Sequence, residues 1–183
     1  MTTTPYVDPQ TIHNPAPASS PPASWGDALR DNLEFLIEPP SCRVKKTTVS
    51  QSIPHATNTA MEFNDADEWD TDDFHDPSTN NTRLTVPTGL AGKYLVAANC
   101  CFSPNATGVR TLGVRINGST RVAQVQTPVS SGTYHTELSI STIVELNVGD
   151  YVEFTVYQGS GSSLTISGTP TYSTWGLIHW VSR

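Results

Sequence analysis

The sequence predicts an all-β sandwich preceded by an extended arm and one short helix. Three observations carry that expectation. First, short apolar or alternating runs recur through most of the 183 residues, separated by turn residues. Second, Ser, Thr, Gly, Pro and Asn are abundant, with 12 Gly and 14 Pro, a mix that suits many strands and is poor for helices. Third, apolar residues fall at helical spacing in only one segment. The length allows one substantial β domain plus an appendage.

Residues 1–23 hold Pro5, Pro9, Pro15, Pro17, Pro21 and Pro22 with little to bury. Proline at this density fixes φ and removes amide donors, so an extended arm of polyproline character is expected. Residues 24–40 then read as a short amphipathic helix. Ser24 with Asp27 forms a start similar to a capping box. Trp25, Ala28, Leu29, Leu33 and Leu36 follow at helical spacing, with Phe35 and Ile37 widening the stripe. Glu38-Pro39-Pro40 stops it. So short a helix is marginal alone and must pack on something: its own sandwich, the same helix in sister chains, or a host particle. The intermolecular options are favoured. Ile12, Trp25, Leu29, Leu33 and Leu36 are therefore the expected particle anchor.

From residue 41 to 183 the text is β. Strands are expected at 44–53, 59–63, 83–86, 93–102, 109–116, 120–126, 134–144, 151–157, 164–166 and 173–181. The run at 93–102 is almost continuously apolar, as in a central strand. In 109–116 the set Arg110, Leu112, Val114, Ile116 should face the core, Arg110 excepted at its end. Asn117-Gly118 marks a tight hairpin. Many strands, regular turns and no intervening helices point to a sandwich.

Charge and cysteine content narrow the function. A net charge of −7 and scattered basic residues, the tightest cluster being Arg43, Lys45 and Lys46, argue against nucleic acid. Cys42, Cys100 and Cys101 are odd in number. Neighbours in a strand point to opposite faces, so buried free thiols are the preferred reading, with a Cys42 link to one of the pair left open. No apolar run long enough for a bilayer span occurs, and no signal peptide opens the chain, so synthesis in a reducing cytosol is expected.

Residues 64–76 form the most polar constellation. Asp65, Asp67, Asp70, Asp72, Asp73 and Asp76 offer the hard oxygen ligands that Ca²⁺ takes. Their spacing lacks the EF-hand pattern, and a solvated acidic loop tacked down by Trp69 and Phe74 is the preferred reading. His13, His55, His75, His135 and His179 show no metal-ligand spacing. No nucleophile elbow, paired glycosidase carboxylates or phosphate loop occurs. The expectation is a non-enzyme with no cofactor.

Four motifs in order suggest a family. They are Val86-Pro87 with Gly92-Lys93-Tyr94, the hairpin Arg115-Ile116-Asn117-Gly118, the strand pair Leu146-Asn147-Val148-Gly149-Asp150-Tyr151-Val152, and the closing Trp175-Gly176-Leu177-Ile178. Over residues 42–183 the chain resembles the jelly roll shared by tumour necrosis factor and the globular head of complement component one-q. The resemblance implies a homotrimer whose sandwiches pack about an apolar, aromatic axis. Tyr94, Tyr151, Tyr157 and Trp175 are the residues expected in the core or at that axis. No Gly-X-Y stalk is present.

Thr11-Ile12-His13-Asn14-Pro15, Ser24-Trp25-Gly26-Asp27-Ala28 and Phe35-Leu36-Ile37-Glu38-Pro39-Pro40 resemble leaders of small structural proteins in tailed bacteriophages of actinobacteria. That likeness implies a virion component made in the host cytoplasm. A capsid decoration or head fibre, held to capsid or tail proteins by its N-terminal arm, is the first expectation. A minor tail or fibre protein whose jelly roll touches host surface glycan is the alternative.

Overall fold

The computed structural model describes residues 23–129, 131–169 and 174–183. The Pro-rich arm and Ile12 lie outside the described residues. Among those described, one helix, α1 (Ala23–Ile37), is followed by β1 (Ser41–Lys46), β2 (Gln51–Ile53), β3 (Thr59–Ala60), β4 (Trp69–Asp70), β5 (Arg83–Thr85) and β6 (Gly92–Phe102). Then come β7 (Val109–Ile116), β8 (Thr120–Pro128), β9 (Thr136–Leu146), β10 (Tyr151–Gln158), β11 (Leu164–Ile166) and β12 (Thr174–Ser182).

These strands make two antiparallel sheets. In the first, the order β4-β1-β12-β6 is completed by β9 on the other side of β6, with β11 and β2 continuing beside its far end. In the second, β10, β7 and β8 run side by side, and β3 and β5 both pair with the free edge of β10. The expected all-β jelly-roll sandwich is the fold observed.

Strand alternation builds the core. Tyr94, Val96, Ala98, Cys100 and Phe102 of β6 point inward and meet Leu112 and Val114 of β7 and Val152, Phe154 and Val156 of β10. Gly176 of β12 lies opposite Phe154, and a Cβ there would come within 2.5 Å of that ring. The Asn117-Gly118 turn takes φ of 53° and 71°, the left-handed pair a two-residue hairpin needs. Gln51 stitches the sheets at one margin, its amide donating to the Ala60 carbonyl at 2.9 Å and its carbonyl accepting from the Glu62 amide at 3.0 Å.

Several boundaries differ from the sequence expectation. The single strand at 44–53 is two strands in different positions, because the chain turns at Thr47 and Thr48, whose amides both donate to Asp65. Ser24 lies inside the first turn of α1 rather than capping it, and Asp27 pairs with Arg30 at 3.1 Å. Arg110 faces inward and is fully buried. Carbonyls of Asn105, Thr107 and Val109 take its guanidinium protons, replacing water at the open end of the sandwich.

Candidate functional site

The acidic loop spends its carboxylates on the chain's own donors. Asp65 accepts from the amides and hydroxyls of Thr47 and Thr48. Burial pushes its pKa up, but those hydrogen bonds outweigh it and hold the group below the usual carboxylate range. Asp70 accepts the Phe74 amide at 3.0 Å and the His75 amide at 2.9 Å. Burial dominates there and raises it. Asp67 meets His75 Nδ1 at 2.7 Å. Asp72 accepts from Thr71, Asp76 takes the amides of Ser78 and Thr79, and Asp73 sits at a φ of 63°.

Among the described residues, Asp67 and Asp70 are the two of the six that come together with a third potential ligand. Their oxygens and the Cys42 sulfur lie within 4.8 Å of one another. Burial pushes the Cys42 thiol well above its ordinary pKa, with Asp70 and Asp67 adding to it, so the thiol is protonated at neutral pH. All three cysteines are free and buried. Cys101 lies on the outer side of β6, 3.5 Å from His135 Nδ1. Burial first, then Glu137, pushes it up to about 12, which leaves no thiolate for nucleophilic chemistry.

The sandwich has two outer faces of different character. On the second sheet the outward side chains are polar and mutually satisfied. Glu153, 5% exposed, accepts from Arg115 at 3.0 Å and Thr82 at 2.9 Å and lies 3.8 Å from Arg83. Thr111 donates to Gln126 at 3.2 Å. On the first sheet the cross-strand rows read His179–Leu95–Ile143, Leu177–Ala97–Ser141 and Trp175–Asn99–Ser139. Leu95, Ala97 and Leu177 are half-buried, while Ile143 is 59% exposed. Beside these rows Arg43 lies 4.5 Å from the Trp175 ring and 5.7 Å from Trp69, with its Nε 2.8 Å from Glu68.

The four aromatic candidates therefore separate. Tyr94 is in the core, its hydroxyl donating to the Leu90 carbonyl. Tyr151 and Tyr157 are half-buried on the second sheet, Tyr151 beneath the Arg83 guanidinium at 4.2 Å. Trp175 lies on the apolar outer face. The anchor candidates Trp25, Leu29, Leu33 and Leu36 share the open side of α1, and Phe35 alone of that stripe is fully buried. The basic cluster also dissolves as a patch: Lys46 is buried and donates to the Glu62 carbonyl at 3.0 Å, and Arg43 is stacked between indoles.

Sequence reading missed the outward set Leu95, Ala97, Ile143 and Leu177, and the Arg43–Trp69–Trp175 stack. The signal was present in β6. A strand with apolar residues on both faces has more to bury than the core alone takes.

The class defined here is a two-sheet jelly roll with one mainly polar outer face and one that carries an apolar patch. Its fold is that of the tumour necrosis factor and complement one-q head domains. Murine APRIL superposes with a TM-score of 0.58 at 12% identity, covering 76% of this chain and 98% of that one. The globular domain of zebrafish complement 1qA gives 0.56 at 13% identity, covering 79% and 99%. Such identities speak for fold alone. By sequence, the chain is 36% identical over 87 residues to the uncharacterized protein L688 of Acanthamoeba polyphaga mimivirus. That stretch is 45% of this chain and 36% of the mimivirus protein, so the chain spans about a third of its relative. No family profile matches the chain. Among the described residues no helix is long and apolar enough to cross a membrane.

Proposed function

We propose that this chain is a non-enzymatic structural protein of a phage virion, a homotrimer displayed on the particle surface as a capsid decoration or head fibre. Residues 1–40 hold it to the particle, and the jelly roll projects outward. The observation that carries the reading is the apolar outer face of the β9-β6-β12-β1 sheet. A lone monomer gains nothing from Leu95, Ala97, Ile143 and Leu177 on its surface, whereas a sister sandwich covers them. The mimivirus relative supports a viral setting, and the phage-like leader motifs support a tailed-phage one.

Trimerisation also gives a surface protein avidity for a repeated target. A density map of the intact virion that encodes the chain tests the reading. Three-fold knobs of this fold on the shell are expected. Purified virions free of the chain, or the chain fitted at the tail tip, would overturn the decoration role.

A further inference from the structure

The helix docks through one side and leaves another open. Phe35 meets Trp180 edge-on at 4.6 Å, and Asn32 is buried with it. Trp25, Leu29, Leu33 and Leu36 remain 39, 47, 51 and 64% exposed. At about 100° per residue these four fall within a seam roughly 80° wide, set to one side of Phe35. Their steps of 4, 4 and 3 return to nearly the same azimuth after 11 residues, the spacing of helices that wind about one another with a slight right-handed supercoil.

We propose that the seams of three sister helices meet one another, forming a short parallel bundle at the base of the trimer. This rests on the trimeric reading above and names the partner of the open helix face: the same helix in the other two copies. Placement argues for it. Pro40 accepts the Trp180 amide proton at 2.9 Å, so the helix base is tied to the β1-β12 pair, part of the sheet whose outer face is apolar. Val181, next to Trp180, is 47% exposed and extends that apolar surface.

Charge argues the same way. Arg30 pairs with Asp27 and Asp31 at 3.1 and 3.0 Å on the side away from the seam, leaving the seam itself neutral and self-complementary. A seam this narrow suits helix against helix better than a broad groove. The bundle covers the stripe and passes particle attachment to the residues before it.

Cysteine cross-linking in the full-length chain tests the bundle. The native cysteines are buried, so the unaltered protein is the blank. Leu33→Cys, mildly oxidised, should give one disulfide-linked pair and one unlinked chain per native trimer. Arg30→Cys, facing away, should give little. A native trimer in which neither Leu33→Cys nor Leu29→Cys links, or in which Arg30→Cys links equally well, would overturn the bundle and leave the trimer standing. A monomeric chain would overturn the trimeric reading beneath it.

Discussion

The two outer faces of the sandwich obey the same alternation and end in opposite places. On the β10-β7-β8 side most outward residues are polar; Glu153 takes Arg115 and Thr82, and Thr111 pairs with Gln126. On the β9-β6-β12 side the same positions hold Leu95, Ala97, Ile143, Leu177 and Trp175, interspersed with His179, Asn99, Ser139 and Ser141. The first face is finished against water. The second keeps apolar side chains at its surface, and the trimer proposed above covers them with a sister sandwich.

Trp175→Ala should have the largest effect. Aromatic and arginine residues at the centre of an interface are worth about 2–4 kcal/mol, roughly a 30- to 1000-fold weaker association. Sedimentation velocity should find dissociation at micromolar concentration for Trp175→Ala and none for Tyr157→Ala on the other sheet. Equal effects would erase the distinction between the faces.

Arg115→Ala should act in the opposite manner. Glu153 is 5% exposed and would lose its 3.0 Å partner. A destabilisation of about 1–3 kcal/mol in urea unfolding is expected, with the native mass unchanged. Dissociation without loss of stability would place the interface on the polar sheet.

Much of this was legible in the sequence, and the failures share one physical form. The edges of β7 and β11 match the expected 109–116 and 164–166 because turn residues bound them locally, Gly108 and Asn117-Gly118 for the first, Ser162-Ser163 and Ser167-Gly168 for the second. The break between β1 and β2 is set by Asp65, 18 residues from Thr47, so no local signal marks it. β4 is two residues held by pairing with Cys42 and Arg43. Arg110 reads as a surface residue until the 105–109 carbonyls wrap it. The helix stripe was visible, but which part of it docks is decided by Trp180 at the far end of the chain.

Smaller effects belong to the acidic loop at the margin of the apolar face. Asp65→Ala removes the acceptor for the Thr47 and Thr48 amides, a cap-like loss of about 1 kcal/mol by thermal melting. A lowered carboxylate contributes stability above its usual range and loses it as pH falls, so the penalty should vanish in acid. His75 has the opposite sign. Burial opposes its charged form, yet Asp67 outweighs burial and raises its pKa. Its contribution is complete below the ordinary imidazole value of about 6.5 and lost as pH rises through the folded one. Melting temperature should drop slightly between pH 6 and 8, and Asp67→Asn should flatten the drop.

The apolar face leads to one number. Sedimentation equilibrium on the full-length chain at micromolar concentration should report three chains of 19.8 kDa. A single 19.8 kDa species, leaving Ile143 and the half-buried Leu95, Leu177 and Trp175 facing water, would contradict the account.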